Sequence, residues 1–371
     1  MNIDKRRIKS DLTTDVYIKA SGREDLALEE QANELFSGIR KVLESESAHI
    51  LQERIFGTED ALRIIRSIRA DIYGDYDDGV EPAWLVVPEG MNGQIAGIQM
   101  HALSSEEAPK ILLWAGKPCG RIVQAGDCKY LTISCIQAPE AGQATNQAKI
   151  MLEKAEDVLK QVGGDMYSVP RTWMWLRDIL SWYDDFNLVR NDFFAERGLI
   201  SDGIGNKMPA STGIGVSPGN GASCGMDLVA VIGSGKSIEY LDAGGNQNSA
   251  LKYGSAFSRA SRLVRPSGST VFISGTASID TDGKTTNTGD ASKQIETTIN
   301  NVRAVLNEMQ CRDEDVVQAI AYCKTTEIEK LFWSQWSDLV WPSLTVIADV
   351  CRDDLLFEME ATAAITETNR K

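Results

Sequence analysis

Histidine is nearly absent from this sequence. Only His49 and His101 occur among 371 residues, so catalysis by histidine and metal binding by several histidines are not expected. The seven cysteines are scattered, odd in number and without a Cys-X-X-Cys pair. This spacing favours buried free thiols in a cytosolic protein over a disulfide framework or a zinc site. If the protein is an enzyme, we expect its proton chemistry to use carboxylates.

Long apolar runs and an excess of positive charge are also missing. No apolar run approaches the roughly 18–20 residues that a membrane-spanning helix needs, and the N-terminal MNIDKRRIKSDL lacks the apolar core of a signal peptide. The 38 lysines and arginines against 53 aspartates and glutamates give a net charge of −15, which disfavours broad binding to a phosphate backbone. We therefore expect a cytoplasmic protein that binds neither nucleic acid nor membrane. The length predicts two or three domains.

Three stretches of the chain share one order of predicted elements. Each begins with a strand rich in β-branched and aromatic residues, and an amphipathic helix follows with apolar residues three or four apart. A glutamine lies early in each helix; a second strand, a variable helical stretch and a proline-led pair of strands come after it. The first strands are 16–20, 129–133 and 271–275, and the helices are 29–43, 146–162 and 293–309. The glutamines are Gln31, Gln147 and Gln294, and the prolines are Pro82, Pro209 and Pro342.

We interpret each unit as a sheet with helices on one face, which is an α+β pattern. The predicted domains are 1–114, 115–250 and 251–371, and three such units could close around a pseudo-threefold axis. Chance similarity among common α+β segments is the alternative, but it does not explain the joint match of helix phase, glutamine position and terminal strands. The stretch GGNQNSALKYGSAFSRASR joins the second unit to the third, and it is either a linker or a loop that covers a site.

The three units differ at their last strands. Laid over one another, these strands place Gln99, Asp227 and Glu358 at one position. Only the third unit has two alternating carboxylates, Glu358 and Glu360, which point to the same face of a strand. If both are partly buried, the like charges raise the pKa of one carboxyl, which can then donate a proton. The alternative is a solvated sheet face or ordinary ion pairs.

Arginines and aromatic residues cluster in the middle unit, where Arg171, Arg177 and Arg190 lie among tryptophan, tyrosine and phenylalanine. A guanidinium group holds a carboxylate through two parallel hydrogen bonds, and aromatic walls exclude water from such contacts. The alternative is a core strand whose arginines pair with nearby aspartates, and this is favoured for Arg177 beside Asp178.

Two stretches of small residues complete the pattern. The segment 274–278, SGTAS, ends the first strand of the third unit and would let a ligand approach the backbone. Its spacing is not that of a nucleotide phosphate loop. The segment 213–225, GIGVSPGNGASCG, is predicted to be a hairpin loop between the Pro209 strand and the strand that follows.

The third unit resembles the Rid/YjgF superfamily. The resemblance rests on VFISGTASIDTDGKTTNTGDASKQIETTINNVRAVL, DVVQAIAYCK and CRDDLLFEMEATAAI. That superfamily includes enamine and imine deaminases and relatives once called translation inhibitors or L-PSP endoribonucleases. Its fold resembles the bacillus-type chorismate mutase, a trimer with ligand sites between subunits. The resemblance implies three tandem units of this fold that form an intramolecular pseudo-trimer.

Over residues 119–371 the sequence is similar to the chorismatase branch of that superfamily. The shared motifs are RTW…FN..R, PA.TGIG, FSRA, SGTASI and CR.DLL.E.E. Chorismatases release pyruvate from chorismate without a metal or an organic cofactor. The resemblance implies that Glu358 is the acid that protonates the enolpyruvyl group. It also implies a substrate-binding role for a further set of residues: Arg171, Arg190, Tyr253, Ala277, Lys324 and Cys351.

The sequence departs from both activities at particular positions. Lys324 stands where chorismatases have arginine, which keeps the charge and loses the two-pronged contact. Rid deaminases carry an arginine directly after the proline of the terminal strands, and Ala83, Ala210 and Ser343 occupy these positions here. We therefore expect a chorismatase-like enzyme with one cleft between the second and third units. A divergent deaminase and a non-catalytic protein that binds a small carboxylate are the alternatives, and the expected assembly is a monomer or a dimer.

Overall fold

The computed structural model describes residues 2–10, 12–201, 205–233, 238–265 and 268–365. Within them the chain forms three six-stranded sheets, each with two helices of ten residues or more on one face. The predicted α+β class and the three tandem units are therefore confirmed. No helix in the described part of the chain is long and apolar enough to cross a membrane.

The first unit has five strands of its own. Its sheet runs in the order β1-β2-β5-β3-β4 and is completed by the short strand β11 (Ser217–Pro218) from the second unit. Strand β4 is parallel to β3, and helix α2 makes the crossover between them. The elements are β1 (Asn2–Lys9), β2 (Thr13–Ser21), α1 (Leu28–Glu46), β3 (His49–Gly57), α2 (Glu59–Tyr73), β4 (Ala83–Val86) and β5 (Ile95–Ser105).

The second and third units repeat this arrangement with one more strand each. Their sheet orders are β6-β7-β8-β12-β9-β10 and β13-β14-β15-β18-β16-β17. The second unit contains β6 (Lys110–Trp114), β7 (Lys117–Ala125), β8 (Cys128–Gln137), α3 (Ala144–Gln161), β9 (Arg171–Leu176), α4 (Tyr183–Glu196), β10 (Ala210–Ile214), β11 (Ser217–Pro218) and β12 (Cys224–Gly233). The third contains β13 (Ile238–Leu241), β14 (Ala260–Arg265), β15 (Gly268–Ala277), α5 (Ala291–Glu308), β16 (Val316–Cys323), α6 (Thr326–Gln335), β17 (Ser343–Ile347) and β18 (Phe357–Ile365). Strands β6 and β13 belong to the sheets that follow them, slightly ahead of the predicted domain boundaries, which stay predictions.

The repeated glutamines have a structural role in all three units. Each ties the start of the first long helix to the segment before the last strand. Gln31 donates to the carbonyl of Asn92, and Gln147 accepts from the backbone amide of Ser223. Gln294 accepts from the amide of Leu356 at 2.8 Å. A buried amide side chain that satisfies backbone groups in this way holds helix and strand in register.

The three sheets face one another around a shared core, with the helices outside. Phe56 of β3, Trp175 of β9 and Tyr322 of β16 all belong to this central cluster. The rings of Phe56 and Trp175 meet edge to face, with their centroids 5.9 Å apart. Separate clusters fill the space between each sheet and its own helices. The chain is therefore a closed pseudo-trimer whose unit junctions are buried.

The predicted hairpin at 213–225 is wrong. Strands β10 and β12 do not pair, because β9 lies between them in the sheet. Strand β10 runs parallel to β9 after the α4 crossover, and β12 is antiparallel to β9. Between them the chain leaves the sheet at β11 and pairs with β4 of the first unit, with Ser217 opposite Val86. The segment thus joins two units.

Candidate active site

A cleft of about 530 Å³, including its open mouth, lies at the junction of the second and third units. Strand β10 and helix α4 of the second unit form one wall, and strands β15 and β18 with the loops around 253–259 and 351–355 form the other. The polar side chains that line it are Tyr183, Arg190, Ser211, Tyr253, Ser255, Arg259, Cys351, Arg352 and Glu358.

Glu358 occupies the centre of this cleft. It lies on β18 between Ala277 of β15 and Tyr322 of β16, and its side chain is only 5% exposed. Its Oε1 atom fills the space beside Gly275, where no side chain is present. Burial, and next the charge of Glu360, raise the pKa of Glu358 to about 8. The carboxyl therefore carries its proton at neutral pH.

Glu360 is the ion-paired member of the two carboxylates. It accepts hydrogen bonds from Arg171 Nη2 at 2.7 Å and from Trp173 Nε1 at 2.8 Å. The hydroxyl of Thr212 also donates to it, and the amide of Gly275 donates to that hydroxyl. Glu360 thus behaves as the ion-pair alternative predicts, whereas Glu358 is protonated and points into the cleft. The charge of Glu360 makes the neighbouring Glu358 carboxylate a stronger base.

Two buried arginines face the cleft without a carboxylate partner among the described residues. Arg190 is 1% exposed; its Nη2 donates to Asn187 Oδ1 at 2.6 Å, and its Nε has no partner in that part of the chain. Arg259 is 2% exposed and donates to the carbonyl of Asn248 and to the hydroxyl of Tyr253. A buried cation without a counter-ion is costly. These two guanidinium groups can therefore hold an anion.

The remaining polar lining groups are neutral hydrogen-bonding groups, apart from the Arg352 cation. Burial raises the pKa of Tyr183 and that of the Cys351 thiol to about 12 in each case. The pKa of Tyr253 is also raised by burial. Arg352, which is half-buried, donates to the carbonyl of Gly283. With Glu358 protonated, the cleft carries a positive charge and can hold an acid with more than one carboxylate.

The structure brings together five of the seven residues that the sequence singled out. Glu358, Arg190, Tyr253, Ala277 and Cys351 all line the cleft.

The other two lie outside the lining. Arg171 is behind Glu358, where it pairs with Glu360. Lys324 donates to the carbonyl of Asp353 at 2.8 Å and lies 3.8 Å from the carboxyl oxygens of Asp349 and Asp353. Arg171 thus acts on the cleft through Glu360, and Lys324 lies among aspartates of a neighbouring loop.

Sequence reasoning missed five of the polar lining residues, which are Tyr183, Ser211, Ser255, Arg259 and Arg352. Arg259 and Arg352 stand inside the motifs FSRA and CR.DLL.E.E, so the signal was present and was attributed to other residues. Tyr183 lies in the aromatic stretch of the middle unit. Among the described residues, no group of three or more histidine, cysteine or carboxylate side chains is placed to hold a metal ion.

The strand register corrects the predicted overlay of the last strands. Ala277 is opposite Glu358 in the third unit, and Gln137 is opposite Gly225 in the second. Because ISCIQ at 133–137 matches ISGTA at 273–277, Glu358 corresponds to Gly225.

By the same register Glu360 corresponds to Asp227, so the overlay of Asp227 on Glu358 was wrong by two residues. The contacts agree with this correction. Asp227 accepts from Arg54 of the preceding unit, as Glu360 accepts from Arg171. Of these two units, therefore, only the third has a carboxyl at the position of Glu358.

The chain is similar to known proteins in sequence and in fold. Residues 248–365 match the model of the family described as Endoribonuclease L-PSP, which confirms the resemblance to the Rid/YjgF superfamily for the C-terminal unit. Similar solved structures include the YjgF gene product from E. coli (17% identity, 34% of this chain and 98% of that chain, TM-score 0.27). A YjgF-family protein from Neisseria meningitidis gives 17% identity, 35% and 97% coverage, and a TM-score of 0.28.

The likeness to chorismatase extends over nearly the whole molecule. A chorismatase crystal structure matches with a TM-score of 0.63 and 18% identity, covering 96% of this chain and 100% of that one. The protein therefore has the chorismatase fold, with three Rid/YjgF-like units. No curated protein sequence matches the chain.

Proposed function

We propose that the protein is a chorismatase-like enzyme that cleaves the enol ether of chorismate, or of a related enolpyruvyl acid, and releases pyruvate. The observation that carries this proposal is a protonated carboxyl, Glu358, in a cleft whose arginines have no carboxylate partner among the described residues. The chemistry needs both groups: an acid to protonate carbon and cations to hold a dicarboxylate.

The charges in the cleft suit a dianion. Chorismate carries a carboxylate on its ring and another on its enolpyruvyl group. Arg190 lies on the wall from the second unit, and Arg259 and Arg352 lie on the wall from the third. Cations on both walls can hold the two carboxylates apart, so that the enol ether lies between them and beside Glu358. Holding the substrate in this way supplies the orientation that a proton transfer to carbon requires.

The reaction then needs no oxidant or reductant. The C=C electron pair of the enol ether takes the proton from Glu358, which forms a C–H bond and leaves a positive charge shared between the adjacent carbon and the ether oxygen. Water adds to that carbon and loses a proton, which returns to Glu358. The hemiketal collapses with cleavage of its bond to the ring oxygen and gives pyruvate and a ring alcohol. An acid whose pKa lies near the working pH can both give and recover the proton.

Cys351 and Ala277 bear on the fate of the ring. Both line the cleft close to Glu358, and the Cys351 thiol is neutral. By the resemblance to chorismatases, a cysteine at this position favours a hydroxybenzoate product over a dihydroxycyclohexadiene carboxylate. When the ring leaves as an aromatic acid, an elimination takes the place of the addition of water. Pyruvate is released in either case.

The decisive experiment is to incubate the pure protein with chorismate and to follow pyruvate with lactate dehydrogenase and NADH. We expect pyruvate from the wild type and none above background from Glu358→Gln. Glu327→Gln, an exposed carboxyl on helix α6, is the matched control and should be as active as the wild type. Chromatography of the ring product then identifies the branch.

Two results would overturn the proposal. Release of ammonia from 2-aminoacrylate, without pyruvate from chorismate, would establish a Rid-type deaminase. Tight binding of chorismate that leaves it intact, and that Glu358→Gln does not alter, would establish a non-catalytic carboxylate-binding protein.

A further inference from the structure

A second cleft lies at the junction of the first and second units, and it is built from elements equivalent to those of the first. Its empty volume is about 1240 Å³ including its open mouth. Strand β8 contributes to it as β15 contributes to the first cleft, and helix α2 takes the place of α4. The rest of its wall comes from β4, β6, β7, helix α3 and the loops at 139–140 and 219–220.

The second cleft has other residues at the positions of the first cleft's reactive groups. In the third unit the Glu358 carboxyl lies against Gly275, and in the second unit the Cys135 thiol lies against Gly225. The Sγ atom of Cys135 lies 3.0 Å from the point where a Cβ atom on Gly225 would stand. The thiol thus occupies space that corresponds to the acid's carboxyl, and burial raises its pKa. A neutral thiol of this kind cannot deliver the proton that Glu358 delivers.

Arg259, the residue directly before strand β14, is also replaced. Gly120 is opposite Ile133 as Ala260 is opposite Ile273, so Cys119 corresponds to Arg259. Burial raises the pKa of the Cys119 thiol to about 11. The second cleft therefore lacks both the acid and one of the buried cations.

Groups that recognise an anion are nonetheless retained. Arg66 is the eighth residue after the residue that caps α2, as Arg190 is the eighth after the cap of α4. Its guanidinium carbon lies 4.6 Å from the ring centre of Trp84. Lys154 holds its ammonium group 4.3 Å from the ring centre of Trp114. Two indole rings and two cations thus line one concave surface, as in a site for a planar acid.

The charges in this cleft favour one carboxylate. Lys154 pairs with Glu140 at 2.5 Å, and Arg66 lies 3.6 Å from Glu81. Lys117 is exposed at the rim and forms no ion pair within the described residues. Three cations against two carboxylates leave one positive charge for a ligand.

Unpartnered polar atoms add a second feature. The hydroxyl of Ser134 is on a side chain only 8% exposed, and it has no hydrogen-bond partner among the described residues. The Oε1 atom of Gln137, on the same strand and in the same cleft, is likewise without one. Buried polar atoms normally have partners, so these two are available to a hydroxyl group of a ligand.

We infer that the second cleft is a non-catalytic binding site for a small hydroxylated ring monocarboxylate. The indoles take the face of the ring, Arg66 and Lys117 take its carboxylate, and Ser134 with Gln137 take its hydroxyl. This inference does not depend on the first cleft's being catalytic, because it rests on different residues.

The test is calorimetric titration of the full-length protein with 3-hydroxybenzoate. We expect the wild type to bind 3-hydroxybenzoate. Arg259→Ala, in the first cleft, should leave this affinity unchanged, and Lys117→Glu should weaken it at least tenfold. Ser134→Ala, which removes only the unpartnered hydroxyl, should weaken it less. Arg63→Glu is the matched control, because this arginine is exposed on the same helix as Arg66 and does not line the cleft.

Several outcomes overturn the inference. One is that wild-type protein does not bind 3-hydroxybenzoate; another is that Arg259→Ala removes all binding while Lys117→Glu has no effect. An equal loss in Arg63→Glu and Lys117→Glu would assign the effect to surface charge in general. If the protein releases no pyruvate from chorismate, the interpretation of these binding results does not change. The two proposals are therefore tested separately.

Discussion

The Oε1 atom of Glu358 lies 2.1 Å from the point at which a Cβ atom on Gly275 would stand. No side chain can occupy that point without displacing the carboxyl. Gly275 therefore gives the carboxyl its position, and the bulge formed by Ser274 and Gly275 opposite Glu360 creates the space. The acid and the glycine form one unit, although they lie on different strands.

Gly275→Ala should displace the Glu358 carboxyl. We expect pyruvate release to fall by about two orders of magnitude, a loss typical of removing one positioned proton donor. Gly213→Ala is the control, because its Cβ would lie 3.4 Å from Tyr183, an ordinary contact in the same cleft. Turnover with chorismate and the urea midpoint of both variants separate loss of function from loss of folding. Equal activity in the two variants would contradict the role given to Gly275.

The activity should fall as the pH rises through about 8. Glu358 acts in its protonated form, and its pKa is raised to about 8, so the active form is present below that pH and lost above it. The logarithm of kcat/KM should be level near neutrality and then drop by about one per pH unit. An increase of kcat/KM through this range would show instead that Glu358 works as a base.

The pH dependence of the free energy of unfolding tests the same pKa of Glu358 without a substrate. In the unfolded chain Glu358 ionises near its ordinary pKa, about 4.3, and in the folded protein it ionises at about 8. A carboxyl with a raised pKa favours the folded state at low pH and costs stability as the pH rises between these values. Glu358→Gln should therefore be more stable than the wild type above pH 8, by a few kcal/mol, with the difference shrinking towards pH 4. Urea unfolding at both pH values measures it, and a constant difference would contradict the raised pKa.

The sequence predicted the repeated elements well, because each relies on local signals. β-branched and aromatic residues marked the strands, and the spacing of Leu35, Ile39 and their equivalents marked the helices. The connections between units were not predictable in this way. Strand β11 has only two residues and pairs with a strand of another unit, and nothing in 213–225 indicates that partner.

The site was predicted in part for the same reason. Residue types at motif positions identified the acid and several lining residues, but partners across the junction could not be identified. Arg171 and Arg190 both looked like anion-binding residues, and only the fold shows that Glu360 already pairs with Arg171. The overlay of the last strands failed because Met226-Asp227-Leu228 resembles the segment around Glu358 as closely as the segment around Glu360, and only the pairing with the neighbouring strand shows which match is right.

Arg259 should contribute mainly to substrate binding. It is buried, it lines the cleft and its charge is not paired with a carboxylate of the described chain. Arg259→Ala should raise KM for chorismate roughly 10- to 100-fold, the equivalent of one charged hydrogen bond. Arg262→Ala, on strand β14, which begins directly after Arg259, is the control, because Arg262 pairs with Glu239 away from the cleft. A change in kcat alone would move Arg259 from binding the substrate to stabilising the transition state.

Arg171 and Glu360 should set the alkaline limit of activity without touching the substrate. The charge of Glu360 raises the pKa of Glu358 and that of Arg171 lowers it, with Glu360 the larger of the two. Arg171→Gln leaves the Glu360 carboxylate buried and unpaired, so it should cost about 3–5 kcal/mol of stability and move the alkaline limb to higher pH. The double variant Arg171→Gln/Glu360→Gln removes both charges. It should regain stability relative to the single variant and move the limb below that of the wild type. The single and the double variant should therefore shift the alkaline limb of the pH profile in opposite directions. A merely structural role for the pair would lower activity in both variants without moving the alkaline limb of either.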